Sequence, residues 1–324
     1  MSATDDATST TDDATDETPV RAAAVDATER RGGWDPDIDA RMAALESPVR
    51  DLLDPSLETL AGADRITLVP DAHYPFHPSS GMVTDPAVIG SIVSRLERRT
   101  DAAVAVAGAS DERISVDRTA EYLGYASLLE RFDAEFVDLA DESRTDDICV
   151  VDGSPVALSV PERLVGSTVV VVPSLRPTED GPVAGAMRTL AALGDATADP
   201  ERVPVAATRI IDPAVSVLDA TTAYGGDPAA GNALFAGAAP AVDAVASSLL
   251  GRSLEPDAAL QTARGDAGPV TVEGDGVDFE RLRERIPDGD LPPSDEPHPA
   301  VSTAYRVYAA VAGDAVPPQL EGGR

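Results

Sequence analysis

Ile66-Thr67-Leu68-Val69-Pro70-Asp71-Ala72-His73-Tyr74-Pro75-Phe76-His77-Pro78 is the stretch on which the fold turns. Its opening residues are apolar or β-branched and read as a buried strand. The prolines at 70, 75 and 78 forbid a regular helix, so an extended loop leaves the strand's C-terminal end. Thr84-Asp85-Pro86 then supplies a helix cap with a proline in the first turn. Val88, Ile89, Ile92, Val93 and Leu96 recur at helical spacing over 86–99, and Arg95, Arg98 and Arg99 sit toward the negative end of that helix. Ala103-Val104-Ala105-Val106-Ala107 follows as a second strand. Strand, helix, strand at this spacing predicts a right-handed parallel crossover, with both strand ends opening on one edge.

Working outward, helices are predicted near 116–123 and 126–131, then a strand at 135–139. A two-strand ribbon is expected from 148–151 over Asp152-Gly153 to 156–160, since Asp-Gly is a preferred tight-turn pair. Thr168-Val169-Val170-Val171-Val172 is apolar without alternation, as a strand covered on both faces should be. Beyond it the pattern predicts a helix at 183–193 and strands at 205–211 and 215–218. A glycine-rich loop at 225–232 precedes a short apolar run at 233–236. Helices at 240–250, 256–263 and 278–285, with a strand at 269–272, complete the body. Upstream, residues 21–61 read as irregular chain with two short helices, the second starting at Asp54-Pro55.

The expected fold is therefore α/β: a mainly parallel sheet with crossover helices on both faces and a less regular α/β C-terminal portion. The organisation runs from a disordered acidic tail (1–20) through an N-terminal α/β region (21–175) to a C-terminal α/β region of the same unit (176–286). A linker of proline and acidic residues (287–298), a last helix (299–313) and a tail (314–324) follow.

Composition narrows the function classes. Of 324 residues, 57 are acidic and 25 basic, a formal charge of −32, and every basic residue is arginine. Such a surface repels nucleic acid and anionic membranes, so neither is an expected partner. The pattern resembles that of halophilic archaeal proteins, for which molar salt shortens the screening length to about 3 Å. Without lysine there is no Schiff-base or P-loop lysine, which disfavours pyridoxal-phosphate chemistry and Walker-type nucleotide hydrolysis. Cys149 is the only cysteine, so the chain supplies no internal disulfide and no all-cysteine zinc or iron–sulfur site. Its apolar neighbours suit a small hydrophobe better than a nucleophile. The first twenty residues lack the apolar segment of a secretory leader, and a cytoplasmic location is expected.

Three segments together resemble the uncharacterised family known as domain of unknown function number 362. The first is Leu68-Val69-Pro70-Asp71 with Thr84-Asp85-Pro86 and its helix; family members usually carry Lys-Pro-Asn where this chain has Val69, Pro70 and Asp71. The second is Val169 to Arg176 with Gly185 to Gly194, where Arg176 stands at a family lysine and Arg188-Thr189 at a Lys-Asn pair. The third runs from Ile211-Asp212 through Asp219 and the glycine-rich loop to Pro240-Ala241-Val242-Asp243. The likeness spans residues 64–275 and implies an α/β unit. Many members add a ferredoxin-like iron–sulfur portion, implying redox or maturation roles; this chain has no such portion. The opening region also resembles, more distantly, the first domain of nickel-dependent lactate racemase.

Asp71, His73 and His77 gather in one loop at a sheet edge, the place where open α/β sheets bind ligands. Asp71 and His73 are candidate acid–base residues, and Asp71, His73 and His77 could ligate a transition metal, with His298 a further ligand. The competing reading is that two histidines in a proline-rich loop are structural. Arg176 and Arg188 are candidate anion-binding residues, since guanidinium grips carboxylate or phosphate bidentately; on an acidic surface a local salt bridge competes. Gly225, Gly226 and Asn232 could offer backbone N–H groups to an anionic cofactor, while Asp212, Asp219 and Asp243 are carboxylates that either titrate or cap helices. Two functions stand side by side: an enzyme or cofactor-handling protein for a small anionic molecule, or a non-catalytic binding or assembly protein on a degenerate scaffold. The cofactor is open, and no iron–sulfur cluster is expected.

Overall fold

A computed structural model describes residues 18–26, 37–73, 76–110, 115–265, 267–274 and 276–291. The expected last helix at 299–313, His298 and most of the acidic tail and linker lie outside the described residues. The chain opens with β1 (Thr18–Ala24), α1 (Ile38–Leu53), a 3₁₀ turn at Asp54–Ser56 and α2 (Leu57–Ala61). The first crossover comprises β2 (Arg65–Pro70), α3 (Pro86–Arg99) and β3 (Ala103–Gly108). Then come α4 (Val116–Leu123), α5 (Tyr125–Leu129) and β4 (Ala134–Asp138). The ribbon is β5 (Arg144–Val151) and β6 (Ser154–Pro161), followed by α6 (Glu162–Val165) and β7 (Thr168–Val172). The second half holds α7 (Gly185–Ala191), β8 (Asp195–Ala196), α8 (Val203–Ile211), β9 (Val215–Tyr224) and β10 (Pro228–Gly237). It ends with α9 (Ala239–Leu249), α10 (Ala258–Arg264), β11 (Val270–Glu273) and α11 (Phe279–Arg285).

Among the described residues, eight strands form one sheet in the order β11-β1-β10-β9-β7-β2-β3-β4, and β5, β6 and β8 form a second. In the large sheet only β10 is antiparallel to its neighbours, and the pairings of β2 with β3 and β7, β3 with β4, β7 with β9 and β1 with β11 are all parallel. The fold is thus α/β with a mainly parallel sheet. One face is buried under α1 and α3, with Leu68, Val170 and Val217 meeting Val49, Ile89 and Ile92. The other lies under α7 and α9, with Val69, Val171 and Leu218 turned toward that side. From β2 the chain steps to β3 and β4 on one side, whereas β7 and then β9 add on the other. The strand order therefore reverses between β2 and β7, and such a switch point leaves a crevice outside the strands' C-terminal ends.

Four local expectations are corrected. Residues 205–211 are helix, not strand: Pro204 occupies the first turn, and Val203, Ala207 and Ile211 fall at four-residue steps, so one face packs against α7 and the small-sheet strands β5 and β6 despite the β-branched composition. Residues 21–24 belong to a strand that starts at Thr18 inside the expected tail; alanine-rich β1 has little strand propensity and is held by β10 and β11 on its two sides. Helix α1 is a single 16-residue helix that carries Pro48 within it. The glycine-rich loop shrinks to a turn, because β10 begins at Pro228 and absorbs Gly231 and Asn232 as an irregularity between Ala230 and Ala233.

Candidate functional site

The strand-end loop and the residues after β7 meet at the switch point. Asp71 follows β2, Ser174 and Arg176 follow β7, and parallel pairing up to Pro70↔Val172 brings the two exits to the same rim. Arg176 donates through Nε to Asp71 Oδ2 at 2.7 Å and through Nη2 to Oδ1 at 3.1 Å. Ser174 Oγ donates to Oδ2 at 2.9 Å, and His73 Nδ1 stands 2.5 Å from Oδ1. Burial by itself would raise the pKa of Asp71, yet Arg176 and His73 hold it well below the usual carboxylate range. An ionised carboxylate only accepts, so Nδ1 of His73 carries a proton toward it and Nε2 faces away from the pair. The His73 side chain is 48% exposed, against 4% for Asp71 and 12% for Arg176.

Beneath this rim lies a second, deeper carboxylate group. Asp85 caps α3 by accepting from Ala87 N and is paired with Arg41 of α1. Its own N–H donates to Asp219 Oδ2 at 2.7 Å, while Asp219 Oδ1 accepts from Thr221 N and Oγ1. Burial pushes Asp219 up to about 6, against the pull of the Thr221 bonds and Arg41. Tyr125, wholly buried, donates to Thr84 O at 3.3 Å; burial, then Asp219 and Asp71, push its phenol well up. Thr84 joins the layers: its N–H donates to Asp71 O, and its Oγ1 donates to Val172 O and accepts from Asp71 N.

Other candidates fall elsewhere. His77 accepts the Ser79 N–H on Nδ1 and so caps the short 3₁₀ turn Pro78–Ser80. Arg188 is held by Asp257 through two bonds of 3.0 Å, in a pair joining α7 to the start of α10 rather than at the rim. Asp243 receives the N–H groups of Ala186 and Met187 at the start of α7; burial pushes it up to about 7. Asp212 ends α8 in a left-handed conformation. Gly225 and Gly226 lie against the chain's own segment at Pro287 and Gly289, and Asn232 sits at φ 52° with its carbonyl accepting from Val25 N. Among the described residues, no group of three or more His, Cys, Asp or Glu is arranged to hold a metal, and no helix is long and apolar enough to cross a membrane. A cavity of about 630 Å³ lies between β1, α1 and the end of β11, bordered by Arg21, Ala44, Pro48 and Glu273; no rim residue lines it.

Thr84, Ser174, Tyr125 and Arg41 escaped the sequence reading as site residues. Thr84 and Ser174 lie within the family-like segments, Thr84-Asp85-Pro86 and Val169 to Arg176, which is the only sequence signal they give; Arg41 and Tyr125 give none. The loop at 76–83 folds back over the rim: Met82 and Val83 are buried, and Gly81, at φ 73°, lies so near Ala223 that a Cβ would come within 2.7 Å of its carbonyl carbon.

A family model described as "Domain of unknown function (DUF362)" matches residues 66–248, a span that contains both strand exits, Asp219 and Asp243. No curated protein matches the chain. Among solved structures, the crystal structure of a Thermotoga maritima protein determined by a structural genomics consortium is similar at 12% identity, with a TM-score of 0.35 over 53% of this chain. The chain spans about half the length of that protein, 50%, and a likeness this slight carries no argument.

Proposed function

The chain belongs to the DUF362 family, and for this member we propose that the rim between β2 and β7 takes a small anionic ligand, with His73 as its acid–base residue. One observation carries the reading: His73 and Arg176, on loops more than a hundred residues apart in sequence, converge on the same buried carboxylate at the switch point. Asp71 fixes the ring so that Nε2 is the atom free to exchange a proton, and the guanidinium beside it favours a negative ligand group. The acidic surface opposes anion approach in dilute buffer. In molar salt the screening length falls to about 3 Å and this opposition largely disappears, which agrees with the proposed halophilic habitat. His77 would have to give up its cap on Ser79 to ligate a metal through Nδ1, so the reading is built without a metal step.

Titration of inorganic phosphate and of a small dicarboxylate into the protein in molar potassium chloride tests the proposal. Saturable binding that weakens at least tenfold in His73→Ala supports it. No binding of either probe to the unaltered protein at millimolar concentration removes it.

A second reading is favoured by a different observation. Ser174, Arg176 and His73 all spend donors on this one carboxylate, and Arg176 is nearly buried. An ion pair so placed could serve only to fasten the two loops on a non-catalytic binding or assembly scaffold. That reading expects Arg176→Ala to destabilise the fold while neither anion alters its stability.

A further inference from the structure

We infer that Thr84, with Ser174, is the positioning pair that sets Asp71 where it can orient His73. The inference rests on the rim reading for its importance, but its geometry stands apart from any ligand. Pairing of β2 with β7 runs through Pro70↔Val172, so the next rung should be an Asp71 N–H bond to Val172 O. That bond is long, 3.2 Å, because the Thr84 hydroxyl is inserted at the same place: Asp71 N lies 2.9 Å from Thr84 Oγ1, which in turn donates to Val172 O. The return bond from Thr84 N to Asp71 O, 2.9 Å, closes a ring about the residue. A hydroxyl is needed here, since one atom must accept from an N–H and donate to a carbonyl at once.

Ser174 acts on the other end of Asp71. It shares Oδ2 with Arg176 Nε, which leaves Oδ1 for His73 Nδ1 and the second guanidinium nitrogen. Without it the carboxylate is free to turn toward the guanidinium and away from the imidazole. Thr84 and Ser174 are wholly buried, and the bonds that lead from them to His73 run through Asp71.

The test compares Thr84→Val, which keeps the shape and loses the hydroxyl, with Thr84→Ser, which keeps the hydroxyl. The primary measurement is the ¹⁵N NMR signature of the His73 ring in the full chain, and phosphate affinity is the secondary one. Thr84→Val should lose the Nδ1–H tautomer signature and bind phosphate at least tenfold more weakly, whereas Thr84→Ser should retain both. If Thr84→Val does not fold, Ser174→Ala carries the test and should lose the same tautomer signature. A folded Thr84→Val or Ser174→Ala protein whose His73 ring is unchanged overturns the inference. Failure of the unaltered protein to bind phosphate would sink the rim reading and leave the tautomer result to decide this one.

Discussion

The guanidinium of Arg176 and the carboxylate of Asp71 face each other across the switch point of the sheet, joined by bonds of 2.7 Å and 3.1 Å. Each comes from the first turn of chain beyond a parallel strand, so the pair ties two crossovers together where the strand order reverses. Both groups are shielded from water, and the consequences of breaking the pair follow from that.

Arg176→Ala should destabilise the fold by about 3–5 kcal/mol, because the buried Asp71 carboxylate loses its guanidinium partner and keeps only Ser174 and the half-exposed His73. The double variant with Asp71→Ala should cost less than the two single changes added together. Chemical denaturation of the four proteins of this cycle in molar salt measures the coupling.

Stability should fall as pH rises from about 4 to 7. Burial raises Asp219 to about 6 and Asp243 to about 7, above the roughly 3.9 of an unfolded aspartate. A carboxyl with a raised folded-state pKa contributes fully below the unfolded value, and its contribution is lost as pH climbs through the folded one. Asp71 acts in the opposite sense: its depressed pKa adds stability above the unfolded value, which is lost on acidification. Thermal midpoints against pH should show the decline, and Asp243→Asn should remove the part that continues above pH 6 and ends near pH 7.

Gly225→Ala should destabilise by about 1–3 kcal/mol without weakening phosphate binding at the rim. A Cβ there would come within 1.9 Å of the Pro287 carbonyl oxygen, so the segment around Pro287 must move. Equal loss of affinity and stability would return the glycine turn to the ligand site.

Ile148 and Val150 are 66% and 60% exposed on β5, an edge strand of the small sheet. Two devices blunt that edge: Arg209 donates to Val150 O, and Asp147 accepts from Ile148 N. Replacing both Arg209 and Asp147 by alanine should increase self-association in sedimentation velocity at high salt; an unchanged sedimentation coefficient would contradict the role given to them.

Much of this molecule is legible locally. Val88, Ile89, Ile92 and Leu96 carry the helical period of α3, and the cap at Asp85 marks its start. The Asp152-Gly153 turn, with both residues at positive φ, makes the ribbon of β5 and β6 as the dipeptide foretells. The misreadings occur where local preference and tertiary context part. Residues 205–211 have β-branched side chains but take the helix that their spacing against α7 and the small sheet allows, and alanine-rich β1 becomes a strand because two neighbours supply its hydrogen bonds.

The sequence by itself determined the α/β class, the order of the crossovers and the chemical inventory: no lysine, one cysteine, and a loop bearing Asp71 and His73. These follow from periodicity, turn chemistry and composition, all of which act over a few residues. Only the tertiary structure decided which carboxylate each arginine holds. Arg176 and Arg188 look alike in sequence, yet one lies on the rim with Asp71 and the other is held by Asp257. An ion pair depends on where two distant backbone segments come to rest, and here that is set by strand order and by the packing of α3, α7 and α10 against their neighbours.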